Sequence, residues 1–218
     1  MTEYYLSVPG AARLASLAGL KSDLEQVVDC CDRMIDRYAG PHLKKSPFDI
    51  VGFTTHVDFL DWEALSAAAC IAYARCFVSG VRQSLDAELL ALAEQELRET
   101  HDFTINLRNK HIAHSVNSFE ENSVTVQIED TYRSASEIRS VVPRHTRAVG
   151  LPFDGPANLR LLAQWWLTKV SDETHIELAS VLRIAQAMSL DEIRAHGTLK
   201  SSSAEQRNAS IAKRRRNP

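Results

Sequence analysis

No run of about 18 apolar residues occurs in this chain, so no transmembrane helix is expected. The opening Met1-Thr2-Glu3-Tyr4-Tyr5 lacks the basic stretch of a secretory leader. Only four cysteines are present, Cys30, Cys31, Cys70 and Cys76, and no two of them form a C-x-x-C pair. All four fall in apolar, helical-looking stretches, which predicts small buried residues in a reducing cytoplasm rather than disulfides. The histidines show no structural-zinc spacing with these cysteines, and neither a metal nor a cofactor is expected. No internal repeat is evident.

Basic charge is also scarce over most of the chain. The formal net charge of the 218 residues is −3. From Lys200 onward, six basic residues stand against Glu205 alone, a net of +5, which leaves −8 on the remainder. An acidic body argues against broad electrostatic attraction to nucleic acid, so any RNA site must be a local basic cleft.

What is present is helical periodicity. Ser22-Asp23-Leu24-Glu25 reads as a capping box opening a helix to about Tyr38, where Ala39-Gly40-Pro41 stops it, with an earlier turn near 11–18. A loop is expected over 40–57. A second helix is expected to start near Asp58 or Asp61, run through Phe77 and end by Gly80. A third opens after Ser84, with Asp86 and Glu88 in its first turn and a break near His101–Thr104. Ser123–Ile128 alternates polar and apolar as a half-buried strand does. A partner strand within Ile138–Val149 would complete a hairpin at about 122–149, with Pro143 confined to an edge or a bulge. Pro156 suits a helix start, and a long helix to about Met188 follows, with a break near Ser171-Asp172. Ser189-Leu190-Asp191-Glu192 is a second capping box, for a short helix ending near Gly197. The fold expected is mainly α with one small hairpin, as a single domain over 1–197. Residues 198–218, serine-rich and then basic, are expected to be a disordered tail.

The chemistry concentrates in Leu107-Arg108-Asn109-Lys110-His111-Ile112-Ala113-His114-Ser115. On a regular helix, positions 105, 108, 109 and 112 share one face. Ile105 and Ile112 mark that face as the packed one. Arg108 and Asn109 would then be packed too, and Arg108 must either pair with a carboxylate or line a cleft. His114 lies about 9 Å along the axis and roughly 120° around from Arg108. The two converge only if the helix ends between them or a second subunit closes the site. Histidine can exchange protons near neutral pH, and a guanidinium stabilises charge on phosphoryl oxygens. Together they can let the 2′-hydroxyl of RNA cut the adjacent phosphodiester. The alternative is a helix C-terminus decorated with cations that complement its dipole.

Arg108, Asn109 and His114, with five residues between the arginine and the histidine, resemble the signature of the HEPN superfamily, named for higher-eukaryote and prokaryote nucleotide-binding domains. That signature is an arginine, commonly followed by a polar residue, and a histidine a short way on. The full string looks like variants in bacterial HEPN proteins linked to phage defence. The resemblance implies a HEPN-like helical bundle, with the hairpin inserted after the motif helix. It implies a cytoplasmic, homodimeric, metal-independent ribonuclease of defence or toxin type, whose partners are RNA and a cognate antitoxin or defence protein. His114 would be the acid–base residue, Arg108 the phosphate stabiliser and Asn109 a supporting polar group, with Lys110 and His111 available to bind phosphate. The hairpin and the acidic body depart from the family's plain pattern. Two rival readings remain: a catalytically silent scaffold that binds protein, and a nucleotide-binding domain without cleavage.

Overall fold

A computed structural model describes residues 4–38, 56–78, 80, 82–112, 120–129, 137–147, 150–196 and 198–199. The expected loop at 40–57 falls mostly outside them, as do the tail from residue 200 onward and Gly197. The element order is β1 (Tyr4–Tyr5), α1 (Ala11–Tyr38), α2 (His56–Arg75), a 3-10 helix (Ala87–Leu92), α3 (Gln95–Leu107), a π turn (Arg108–Ile112), β2 (Glu120–Glu129), β3 (Glu137–Arg147), α4 (Gly155–Ala187), α5 (Leu190–His196) and β4 (Thr198–Leu199). The protein is mainly α with a small antiparallel hairpin.

Regular apolar seams build the bundle. In α1, Leu17, Leu20, Leu24, Val27, Cys31 and Met34 are fully buried, at alternating three- and four-residue steps. In α2 the seam is Trp62, Ser66, Ala69 and Tyr73, continued by Cys76 just beyond its end; in α4 it is Leu159, Leu162, Ala163, Trp166 and Val170. Such spacing turns one stripe of each helix inward and packs helices side by side. α1 and α4 run antiparallel: Arg13 pairs with Glu173 at one end and Arg160 with Asp32 at the other. α1 and α2 are also antiparallel, with Arg37 against Asp61 and Arg75 against Asp23. Arg82 joins the same Asp23 and ties the chain after α2 to α1. α3 packs on α4 and α2.

Three expected boundaries are corrected. α1 does not open at Ser22; it starts at Ala11, and Ser22 is an exposed mid-helix residue. The buried seam runs through Leu20 and Leu24 without interruption, and continuous burial outweighs a local capping pattern. α3 does not break near His101–Thr104, because Thr104 is buried with its hydroxyl donating to Thr100 O. The break lies earlier, at Ala93–Glu94, after a 3-10 helix that Asp86 caps by accepting from Glu88 N. α4 passes through Ser171–Asp172 unbroken, held by buried Val170 and Val181 on either side. α2 opens at His56, slightly before either expected cap.

Other expectations hold. Ser189 and Glu192 form the reciprocal capping box, Ser189 N donating to Glu192 Oε2 and Glu192 N to Ser189 Oγ. Pro156 sits in the first turn of α4. β2 and β3 pair antiparallel, with Pro143 opposite Val124 and a register shift between Gln127 and Ile128. All four thiols are free and buried. Burial pushes Cys31, Cys70 and Cys76 up to about 12, and raises Cys30 as well. Thr198 and Leu199, grouped by composition with the tail, instead pair with Tyr5 and Tyr4. Among the described residues, no helix is long and apolar enough to cross a membrane.

Candidate functional site

The α register of α3 ends at Leu107. Arg108 still has helical dihedrals, φ −59° and ψ −47°, and its N–H reaches both Thr104 O and Ile105 O. The chain then widens into the π turn Arg108–Ile112, which packs against α3 and α2. Single π turns of this kind occur frequently where a helix carries function. The regular-helix geometry that separates Arg108 from His114 therefore does not apply beyond Arg108.

The packed face of α3 keeps Ile105 and Arg108 as expected but not Asn109, and the side chain of Ile112 lies outside the described residues. Thr104 and Leu107 are buried, Ile105 and Arg108 are half-buried, and Asn109 and Lys110 are exposed. The inward stripe runs Leu97, His101, Thr104 and Arg108, so Asn109 stands at the surface rather than on the packed side. The reason is chemical: two polar residues on this stripe have satisfied hydrogen bonds, so they pack where apolar letters alone would place only Ile105.

Arg108 Nη1 donates to Asn109 Oδ1 at 2.9 Å. Among the described residues no carboxylate pairs with Arg108, so the guanidinium keeps donors available. Lys110 is exposed beside it. His111 lies within the π turn, but its side chain is outside the described residues, and His114 is wholly outside them. Of the five residues singled out from sequence, the structure brings together Arg108 and Asn109 and sets Lys110 next to them.

Sequence reasoning passed over His101. Its Nδ1 lies 2.7 Å from the Tyr73 hydroxyl on α2. Its ring packs edge-on against Phe77 and Tyr73, with centroids 4.8 and 5.7 Å apart. Burial lowers its pKa, partly opposed by the Asp102 carboxylate. The stripe at Leu97, His101, Thr104 and Arg108 was the available signal: steps of four, three and four residues.

Residues flanking the motif resolve into structure rather than chemistry. Arg75 is ion-paired with Asp23, 3.6 Å away. Trp166 is fully buried, and Trp165 packs edge-on against it while Lys169 lies over its ring. Of the basic hairpin arginines, Arg144 is exposed and donates from Nε to Thr125 Oγ1; the side chains of Arg133, Arg139 and Arg147 are outside the described residues. A cavity of about 220 Å³ lies between α3 and the start of α4, lined by Glu96, Glu99 and Asp154 among others. Among the described residues no basic side chain lines it, so its lining does not favour a phosphate.

Comparison with protein-family models, with curated proteins and with solved structures returns no match for this chain.

Proposed function

We propose that the chain is a metal-independent endoribonuclease of HEPN type, working in the cytoplasm in a bacterial defence or toxin setting. One observation carries this reading: Arg108 stands half-exposed at the end of α3, bonded only to the neutral amide of Asn109 and to no carboxylate among the described residues. A guanidinium placed so is free to take a phosphate. A capping cation needs nothing more than the helix dipole, but a silent scaffold with Arg108 on its packed stripe calls for a buried ion pair.

The reaction is a transesterification. The 2′-oxygen attacks the adjacent phosphorus, its proton passes to an acceptor, the bond from phosphorus to the 5′-oxygen breaks, and that oxygen takes a proton. The products are a 2′,3′-cyclic phosphate and a 5′-hydroxyl. His114 serves as the proton-transfer residue and Arg108 stabilises the phosphoryl oxygens. Asn109 orients the guanidinium, and Lys110 and His111 add phosphate contacts.

A homodimer suits the site, and the hairpin supports association. Val124, Val126, Ile128 and Val141 sit on one face of β2–β3, and all are about half or more exposed. An isolated two-stranded hairpin is marginal in water without something packed on it. A cognate antitoxin is the competing occupant of that face.

The test is cleavage of single-stranded RNA in EDTA by wild type, Arg108→Ala and His114→Ala, alongside light scattering for mass. Cutting is expected from wild type alone, with cyclic phosphate ends. Cutting retained by folded His114→Ala overturns the assignment. A folded wild type that binds partner protein but cuts nothing favours the scaffold. Val126→Lys is expected to lower the dimer mass without loss of helix.

A further inference from the structure

We propose that His101 is a second phosphate-contacting residue: its Nε2–H acts beside Arg108, from the same face of α3, on a phosphodiester of single-stranded RNA. This rests on the nuclease reading above and names a residue outside its motif.

The placement comes first. Seven residues of α-helix are about 20° short of two full turns, so positions 101 and 108 share a face roughly 10.5 Å apart along the axis. Arg108 still has α dihedrals, so the phase holds through it. Helical side chains lean towards the N-terminus, which carries the long arginine back towards His101. Both residues are half-buried, so each is anchored in the bundle and still reaches solvent.

The imidazole is oriented rather than loose. Phe77 and Tyr73 hold the ring edge-on, and the Tyr73 hydroxyl holds Nδ1 at 2.7 Å. A phenol O–H is a much better donor than a neutral imidazole N–H, so the Tyr73 hydroxyl donates to Nδ1. With Nδ1 accepting, the neutral ring carries its proton on Nε2. Nε2 has no partner among the described residues.

The charges around it are few. Asp102 is next to it on α3 and exposed, while α2 presents the Tyr73 phenol and the turn after α2 holds the Cys76 thiol behind it. Among the described residues α4 contributes the indole of Trp166, which packs edge-on against Phe77. Burial disfavours the imidazolium, so His101 offers a fixed neutral donor where Arg108 supplies the charge. A helix–helix brace alone would need the Nδ1 bond but would leave the nature of the other ring edge irrelevant.

The test is anisotropy with a fluorescent, fully 2′-O-methylated single-stranded oligonucleotide in EDTA, which binds without being cut. His101→Phe fills the ring slot but has no donor; His101→Gln restores an N–H of similar reach. About tenfold weaker binding is expected for His101→Phe, a hydrogen bond to a charged acceptor, with most of it regained by His101→Gln. Arg108→Ala is the positive control. If both His101 variants melt cooperatively and bind within twofold of wild type while Arg108→Ala binds weakly, the inference is wrong and the nuclease reading stands. If the wild type does not bind, both fall. Should His101→Phe fail to fold, Tyr73→Phe decides. It releases the ring, so binding is expected to weaken at pH 7.5 and recover at pH 5.5, and no change at either pH overturns the inference.

Discussion

Arg13 grips Glu173 with two parallel bonds, Nε to Oε1 at 2.5 Å and Nη2 to Oε2 at 2.6 Å, across the seam between α1 and α4. The fork geometry is the strong form of a guanidinium–carboxylate contact. Both side chains remain partly exposed, 23% and 40%, so solvent screens most of the Coulombic gain. A double-mutant cycle with Arg13→Gln and Glu173→Gln is expected to give a coupling of about 0.5–1 kcal/mol. Urea unfolding checks it, and a coupling near zero would show that the fork is dispensable.

Gly150 carries the chain onto α2 at φ +73°, a backbone region that side chains rarely adopt. A Cβ there would meet Ser66 Cβ and Oγ at 2.5 Å, on a helix with no slack. Gly150→Ala is expected to cost about 2–4 kcal/mol through strain and overlap together. A change in unfolding free energy below about 0.5 kcal/mol would mean that the chain is not closed against Ser66.

His101 gives the fold a pH dependence whose direction is fixed. Its folded pKa is lowered, by burial first, against the partial opposition of Asp102. The unfolded chain therefore binds more protons than the folded one below about pH 6.5. The stabilising contribution is full above that value and is lost as pH falls towards the lowered folded value. Urea midpoints at pH 7.5, 6.5 and 5.5 are expected to decline, less steeply for His101→Gln than for wild type. Parallel declines would remove His101 from the account.

The sequence made the bundle legible because burial is periodic. The three- and four-residue steps run along most of α1 and through the first half of α4, to Val170, and the alternation at Ser123–Ile128 carries the hairpin. Boundaries were harder. Ser22 and Glu25 spell a capping box, yet a cap forms only where the chain leaves the helix, and Leu20 and Leu24 keep it packed. Asp102 and Thr104 look like helix breakers as letters. Thr104 satisfies its hydroxyl within the helix, on Thr100 O four residues back, while the His101 bond to Tyr73 depends on tertiary placement that no local pattern encodes. The same holds for the motif. Arg108, Asn109 and His114 were readable as residue types, but the change from α to π register at Arg108 has no signature in the local letters.

Asn109 offers the sharpest kinetic test of the motif, because its amide oxygen is the acceptor for Arg108 Nη1. Asn109→Asp puts a carboxylate there, which pairs with the guanidinium and repels phosphate. Weaker substrate binding is expected, with KM raised more than kcat falls, and the defect easing as salt screens the new charge. Arg108→Ala removes the stabilising group itself, so a fall of about 10²–10³ in kcat is expected. Arg108→Lys restores charge without the planar fork, and is expected to recover no more than about tenfold of that loss. Full activity in Arg108→Lys would mean that a point charge suffices. Unchanged activity in Asn109→Asp would detach Asn109 from Arg108. Cleavage rates in EDTA at two ionic strengths separate these outcomes, because only the Asn109→Asp defect carries a salt dependence of its own.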